Sequence, residues 1–301
     1  DQIEIGDECF SSSYLKTLKI KSAKLSIGKY CFINCSSLSE ISLEKLEQIK
    51  IDKNTFIGCN SLNKIYILAH CLEINDFSFN EANHLQSVEL NSKEKLNICQ
   101  NSFSNCFFIS TLVLKNEGEE ELVISKNTFK DCKSLINITI DIKSTMNIGN
   151  ETFSENNKLQ TVSLRGNKIQ LGDKCFYKSF DKKSNSVQIM SNTSVEIGQQ
   201  CFGKSFIDSI EIKSKEVHIK TESFLESQYL KKFSASDSTE VFIDEFSFKD
   251  CTNLSSISLN EIGYLKIGSN AFIGCENIQN FELKFSKPFV SSKYYQSKGL
   301  F

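Results

Sequence analysis

Apolar positions recur along the chain with a period of 22 to 26 residues. Each repeat centres on a phenylalanine, with Ile or Leu five residues before it and, in most repeats, another apolar residue six residues after it. A period of this length is typical of solenoid proteins, in which each repeat stacks on its neighbours. The central phenylalanines define units 1 to 12 in chain order: Phe10, Phe32, Phe56, Phe79, Phe103, Phe129, Phe153, Phe176, Phe202, Phe224, Phe248 and Phe272.

Two alternating stretches in each unit predict two short strands. One stretch follows the central phenylalanine, as in Ile41 and Leu43, and we name it the A strand; the other precedes the next phenylalanine, as in Ile49 and Ile51, and we name it the B strand. Alternation with period two indicates a strand with one buried face. Gly, Asn or Asp often follows the B strand, which predicts a tight turn at positive φ and then a short helical or irregular arc that carries the phenylalanine.

Stacking of the units is the way such a chain can bury its apolar positions. A single unit is too small to do so, whereas stacked units place equivalent residues over one another and form a continuous core. We therefore predict a repeat solenoid of about twelve units of 22 to 26 residues, with short parallel strands, turns and short helical arcs. The residue before each phenylalanine is always Cys, Ser, Thr or Ala, which predicts a position where only a small side chain fits.

Two insertions and the C-terminal segment interrupt the pattern. Residues 115–121 are acidic, and residues 178–186 are polar and displace the expected leucine, so both are predicted to form surface loops. Residues 285–301 leave the register but keep several aromatic residues. We predict one solenoid domain over residues 1–284 and an aromatic tail over residues 285–301 that caps the last unit.

The repeat of this chain resembles that of the BspA-like leucine-rich repeat proteins over nearly its whole length. In unit 2 the matching residues are Ile27, Gly28, Phe32, Cys35, Leu38, Ile41 and Leu43. The chain departs from the family in lacking a proline between the two strands and in often placing Cys, Ser or Thr before the phenylalanine. The resemblance implies a horseshoe-like or rod-like leucine-rich-repeat solenoid. It also implies adhesion or recognition, because members are typically surface-exposed or secreted proteins of bacteria and parasitic protists that bind host proteins.

Charge and hydropathy narrow the classes of partner. The chain has 35 Lys and Arg against 37 Asp and Glu, a net charge of −2, so neither nucleic-acid binding nor a polybasic membrane surface is indicated. No apolar run approaches the roughly 18 to 20 residues that span a bilayer. The sequence starts without Met and inside a repeat, so we expect a fragment or a processed form of a longer chain.

Ten of the twelve cysteines fall in repeat columns, and several occupy equivalent positions in adjacent units, as Cys35 and Cys59 do. Stacking would bring such pairs within disulfide reach, yet parallel side chains often have the wrong torsion for a bridge. Buried free cysteine also behaves as a small apolar residue. We interpret these residues as buried free thiols, with disulfides between adjacent units as the alternative. The Cys-x2-Cys spacing of a zinc site is missing, so no metal is expected.

Candidate catalytic groups are scattered along the chain. His70, His84 and His218 lie in different units at non-equivalent positions. Neither a Gly-x-x-x-x-Gly-Lys phosphate loop nor a Gly-x-Gly-x-x-Gly dinucleotide motif is present. We expect no enzymatic activity and no cofactor.

The outward positions of the A strands provide the candidate binding site. Their central column is mostly small or polar: Lys19, Ser42, Tyr66, Glu89, Val113, Thr139, Ser163, Gln188, Glu211, Ser234, Ser258 and Glu282. Tyr66 and Val113 stand out because they expose apolar area on either side of Glu89. Solenoids bind partners on such surfaces. We predict a protein-binding patch on three adjacent strands, formed by Lys64, Tyr66, Ser87, Glu89, Thr111 and Val113.

The expected function is therefore a non-enzymatic protein-binding module. By its resemblance to the surface proteins it would be displayed on a cell or secreted, and would recognise host or neighbouring-cell proteins, including those of the extracellular matrix. A cytoplasmic scaffold for protein–protein interaction is the alternative, favoured by unbridged thiols. Nucleic acid and membrane insertion within this chain are not expected.

Overall fold

The computed structural model describes residues 1–286, and within this range the chain forms strands and turns without a helix. The strands within this range pair in parallel with their neighbours. In chain order the strands are β1 (Gln2–Ile5), β2 (Thr17–Lys21), β3 (Lys24–Ile27), β4 (Glu40–Ile51), β5 (Lys64–Ile74), β6 (Ser87–Ile98), β7 (Thr111–Asn116), β8 (Leu122–Ile124), β9 (Asn137–Ile142), β10 (Thr145–Ile148), β11 (Thr161–Leu171), β12 (Ser186–Ile197), β13 (Ser209–Lys213), β14 (Glu216–Ile219), β15 (Lys232–Ser236), β16 (Glu240–Ile243), β17 (Ser256–Ile262), β18 (Tyr264–Ile267) and β19 (Asn280–Phe285).

The strands form two parallel stacks, one of A strands and one of B strands. The long strands β4, β5, β6, β11 and β12 contribute to both stacks, and the other strands to one each. Units pair in register, so that Ile27 lies opposite Ile51 and Ile51 lies opposite Ile74. The predicted leucine-rich-repeat solenoid of about twelve units with short parallel strands is confirmed.

The central phenylalanines form a ladder through the core. Consecutive rings have centroids 4.7 to 5.5 Å apart and planes within 17° of parallel. This spacing follows from the separation of about 4.8 Å between neighbouring strands. The phenylalanines of units 2 to 11 are fully buried, whereas Phe10 of unit 1 is 38% exposed.

The arcs that carry the phenylalanines are turns, which corrects the prediction of short helical arcs. In every unit the residues two before and two after the phenylalanine have positive φ, between 51° and 77°. Two left-handed residues four positions apart break a right-handed helical path. Bonds between units hold the arcs instead, as when the Phe32 amide donates to the Thr55 carbonyl at 2.9 Å.

The glycines after the B strands have a different role from the predicted positive-φ turn. Their φ is not in the left-handed region; beyond the first unit, each lies where the neighbouring unit comes close to its backbone. A Cβ on Gly198 would lie 2.7 Å from the carbonyl carbon of Gly172 and from the Leu171 oxygen. Gly6, in the first unit, has nothing within 4 Å of its ideal Cβ position.

The small residue before each phenylalanine also contributes hydrogen bonds, which the interpretation by size alone had missed. The Thr152 hydroxyl lies 2.7 Å from the Gly149 carbonyl of its own turn and 3.1 Å from the Ser125 carbonyl of the preceding unit. The same arrangement recurs at Thr55, Ser78, Ser102, Thr128, Ser223 and Ser247. Size and hydrogen bonding therefore both select this position.

The two insertions form surface loops as predicted, and the second one supplies its own core residue. Phe180 is fully buried, with its ring centroid 5.9 Å from that of Phe176, and it fills the place of the displaced leucine. At the C-terminal end, Phe285 still pairs with Ile262 at the end of β19. The aromatic cap predicted for residues 285–301 lies, from residue 287 on, outside the described residues.

Candidate functional site

The structure brings the six residues of the predicted binding patch together on strands β5, β6 and β7. Tyr66 lies opposite Glu89, and Glu89 lies opposite Val113. The second row is equally regular, with Lys64 opposite Ser87 and Ser87 opposite Thr111. Alternation along each strand sends these side chains outward, because the residues between them, such as Ile65, Val88 and Leu112, are buried in the core.

Exposure differs among the six residues. Tyr66 is 38% exposed and Lys64 is exposed, whereas Ser87, Glu89, Thr111 and Val113 are half-buried. The Glu89 carboxylate accepts a hydrogen bond from the Asn91 amide at 3.2 Å, which holds it on the sheet surface. Tyr66 is therefore the most accessible apolar surface of the predicted patch, and Val113 contributes less than predicted.

Leu68 is a further apolar residue of this face that the sequence reasoning missed. It is 39% exposed and lies two positions after Tyr66 on β5, opposite Asn91. The alternating pattern could have identified it, because residues two positions apart on a strand face the same side and Tyr66 faces outward. Together the two side chains form an exposed apolar pair on a sheet face that is otherwise largely small and polar.

A second apolar surface, also missed, lies where the chain enters the A strands. Phe107 and Phe108 are 38% and 55% exposed and precede Thr111 by a few residues. The Phe108 ring is parallel to that of His84 of the preceding unit, with centroids 6.0 Å apart. Lys133 of the following unit places its Nζ 5.6 Å from the Phe107 ring centroid. We name this region, where the arcs lead into the A strands, the entry edge.

On the opposite edge, where the chain leaves the A strands, unit 5 carries an acidic loop over residues 117–121. The acidic loop 117–121 is held in place by Asn116, whose amide donates to the Glu120 carbonyl at 3.1 Å and whose Oδ1 accepts from the Gly118 amide at 3.1 Å. The Glu120 carboxylate also lies 3.6 Å from Lys95 Nζ in the neighbouring unit. The loop is thus a fixed surface feature.

Comparison with known families identifies the repeat. The BspA-type leucine-rich repeat region matches in six copies, over residues 3–120, 122–242 and 195–298. The chain belongs to the BspA-type leucine-rich repeat family. The two stacks of parallel strands and the phenylalanine ladder described above are thus the structure of a BspA-type array. Leucine-rich repeats of this kind are typical of protein–protein interaction modules and typically lack enzymatic activity.

Two solved structures are similar to this BspA-type chain. A leucine-rich repeat protein from Bacteroides ovatus is 20% identical, with 91% of this chain and 80% of that chain covered and a TM-score of 0.46. A leucine-rich cell surface protein from Faecalibacterium prausnitzii is 18% identical, with 93% and 82% covered and a TM-score of 0.35. Comparison with curated proteins found no match.

Most cysteines of the BspA-type units are buried free thiols, and several donate hydrogen bonds. All twelve are free and eight are buried as predicted, whereas Cys71, Cys99 and Cys275 are half-buried and Cys9 is exposed. The Cys106 thiol donates to the Phe79 carbonyl of the preceding unit at 3.0 Å, and Cys59 and Cys132 make the equivalent bonds. Burial raises the pKa of the Cys106 thiol to about 12, which disfavours the nucleophilic thiolate.

The histidines stay apart in the BspA-type array. His70 Nδ1 lies 3.9 Å from Glu94 Oε1, His84 packs on Phe108, and His218 Nε2 lies 2.9 Å from Asp244 Oδ2. Within residues 1–286, no group of three or more His, Cys, Asp or Glu side chains is placed to hold a metal ion. No helix in that range is long and apolar enough to cross a membrane.

Proposed function

We propose that this chain is a non-enzymatic protein-binding module that recognises proteins of a host or of neighbouring cells at a cell surface. The ligand binds the outward face of β5, β6 and β7, where Tyr66 and Leu68 are the apolar anchors. Lys64, Ser87, Glu89 and Thr111 surround them and provide hydrogen bonds and one charge of each sign, and Val113 adds a smaller apolar surface.

The exposed Tyr66 and Leu68 pair is the observation that carries this proposal. Equivalent outward positions in the neighbouring units hold Ser42 on one side and Glu89 and Asn91 on the other. Packing of the solenoid therefore does not require an apolar side chain there. Tyrosine is also enriched among the residues that dominate binding energy at protein interfaces.

The surface location and the absence of enzymatic activity rest on the family. BspA-type proteins are typically displayed or secreted, and their repeats recognise other proteins. The dispersed histidines and the protonated buried thiols support a binding role, because neither provides an activated nucleophile beside a base. Antibody labelling of intact and permeabilised source cells tests the location: labelling that requires permeabilisation would refute it.

A binding assay on defined proteins tests the face. The purified chain is passed over a panel of immobilised extracellular-matrix and cell-surface proteins, and the dissociation constant of any captured pair is measured. We expect Tyr66→Ala combined with Val113→Ser to weaken capture about tenfold or more while the unfolding transition is unchanged. Ser163→Ala with Gln188→Ala, at equivalent positions farther along the same face, is the matched control and should bind normally. Equal binding by both double variants would refute the site.

A cytoplasmic protein-interaction scaffold is the second candidate function, and the free thiols favour it. Reduced cysteines are typical of cytosolic proteins, whereas exported proteins often bridge theirs. The thiols of this chain are largely buried, which explains their reduced state in either compartment. The same labelling of intact cells separates the two candidates.

A further inference from the structure

In unit 5 the entry edge departs from a polar pattern that most of the other units keep. The two positions that Phe107 and Phe108 occupy are polar in most units, for example Asn60 and Ser61 in unit 3 and Asn157 and Lys158 in unit 7. Those units fold with the same register and the same buried ladder. Folding therefore does not require two phenylalanines there, and adjacent exposed aromatic side chains are typical of a contact surface.

The segments that form the entry edge on either side of these phenylalanines carry charge of one sign. The segments of the entry edge in units 3 to 7 are residues 60–64, 83–87, 107–111, 133–137 and 157–161, and they contain no Asp or Glu. They do contain Lys64, Lys133 and Lys158, all exposed, and His84. Lys133 also approaches Asp131 of its own arc at 3.8 Å, an exposed pair that contributes little and leaves the ammonium group accessible.

The spacing of these groups suits an extended segment that runs along the solenoid. Lys64 and Lys158 belong to units 3 and 7, four strand separations apart, or about 19 Å at about 4.8 Å each. The two phenylalanines lie between them, in unit 5. An extended peptide covers that distance with about six residues.

We propose that the entry edge of units 3 to 7 binds a segment of a protein partner in which an aromatic or large aliphatic side chain is flanked by Asp or Glu. The apolar side chain packs on Phe107 and Phe108, and the carboxylates pair with Lys64, Lys133 and Lys158. This inference rests on the proposed protein-binding function, and it specifies the chemistry of the partner.

Charge elsewhere favours an acidic peptide over a nucleic acid as the occupant. A polyanionic backbone would extend past the three lysines toward carboxylates such as Glu89 on the sheet face and Asp131 in the arc. The chain as a whole carries a net charge of −2, which gives no long-range attraction for a polyanion. A short segment with a few carboxylates can contact the three lysines without reaching these carboxylates.

Selection of peptides tests the proposal without a known ligand. Phage-displayed random peptides of about 12 residues are selected on the immobilised chain, and the enriched sequences are made with a fluorescent label for anisotropy titration. We expect enriched peptides to combine net negative charge with Phe, Tyr, Trp or Leu. Their affinity should fall about tenfold or more in Phe107→Ser with Phe108→Ser, several-fold in Lys133→Glu, and further as salt is raised.

Matched variants show whether the effect belongs to the edge. Tyr264, 51% exposed on a B strand, is as accessible as Phe108, so Tyr264→Ser should bind the peptides normally. The Phe107→Ser with Phe108→Ser variant should keep the circular-dichroism spectrum and a single cooperative unfolding transition, with a modest loss of stability because both side chains are only partly exposed. Enrichment of basic or uncharged peptides, no enrichment, or equal affinity for the variant would overturn the proposal. Tighter binding of a labelled oligothymidylate, lost in the same variant, would overturn it in favour of nucleic acid.

The face and the edge can fail separately. In one outcome the parent chain captures a protein normally, Tyr66→Ala with Val113→Ser loses that capture, and no acidic peptide binds the edge. This outcome overturns the inference and leaves the proposed function standing. Acidic peptides that bind the edge while the chain captures no matrix or cell-surface protein refute the proposed function and support the chemistry of the edge.

Discussion

Replacement of Gly198 by alanine tests whether close contact between units explains the glycines after the B strands. The added Cβ would lie 2.7 to 2.8 Å from three backbone atoms of the preceding unit, against 3.4 Å or more for ordinary contact. The two units must therefore separate by about 0.7 Å at this point, or the turn must shift. Overpacking of this kind costs about 1–3 kcal/mol of unfolding free energy.

The wild-type chain itself contains units with and without a glycine at the position of Gly198, and their backbone hydrogen bonds can be compared. The amide that leaves each B strand donates to the preceding unit, at 2.6 to 2.8 Å where that residue is a glycine in units 2 to 12. Where it is Asp52, Asn75, Cys99, Ser125, Lys220 or Asp244, the distance is 2.8 to 3.0 Å. The two ranges meet at 2.8 Å, the distance found for Gly198 itself, so other units accommodate a side chain at this position with little change in spacing. Gly198→Ala should therefore destabilise the chain without preventing folding.

The measurement is urea unfolding followed by far-ultraviolet circular dichroism, with hydrogen exchange to localise the effect. We expect Gly198→Ala to lower the unfolding free energy by about 1–3 kcal/mol and to accelerate exchange in units 8 and 9. Gly6→Ala is the control, because its Cβ would meet nothing within 4 Å; it should be neutral or stabilising by about 0.4–1 kcal/mol. Equal effects of the two substitutions would refute the argument.

Three further predictions concern the core. Phe153→Ala should cost about 3–5 kcal/mol of unfolding free energy in a urea titration. Phe10 is partly exposed, so Phe10→Ala should cost less than half of that. Equal costs would contradict the stabilising role of the buried phenylalanine ladder. Thr152→Val keeps the shape but removes the buried hydroxyl bonds, and should cost about 1–3 kcal/mol in the same assay. Burial raises the pKa of Cys59 and Cys106 to about 12. Unfolded thiols ionise near pH 8.5, so stability should hold below that pH and fall as pH rises toward 12; urea midpoints that stay constant to pH 11 would contradict this.

The repeat, the strand pairing and the core could be predicted because stacking demands chemical identity at equivalent positions. Ile27, Ile51 and Ile74 lie over one another, so each must be apolar, and the column is visible in the sequence. The arcs could not be predicted in this way. Their left-handed residues include Glu151 and Phe77, which have no strong preference for that conformation. The neighbouring units impose it through backbone hydrogen bonds. Asn, Asp or Gly occupies ten of these 24 positions, and the other 14 carry no residue signal for this conformation.

The candidate surfaces were predicted in part for a related reason. Tyr66 was found because it interrupts a polar column, and Leu68 follows from the same parity on the same strand. Phe107 and Phe108 interrupt another polar pair of positions, but these lie in a turn, where alternation gives no inward or outward assignment. Phe180 shows the converse. It is buried in the core, but it lies four residues after Phe176 and not at the sixth position where the repeat places an apolar residue, so the repeat pattern assigned it to a loop.

The uniform phenylalanine ladder has a consequence for how such a protein can change over time. Because every internal phenylalanine meets its neighbours at 4.7 to 5.5 Å in nearly parallel planes, a duplicated or lost unit leaves an equivalent junction behind. Two surface patches on different units would then move apart or together in whole steps of about 4.8 Å. Recombination between units can therefore adjust the length of ligand that the array spans while each patch keeps its own side chains.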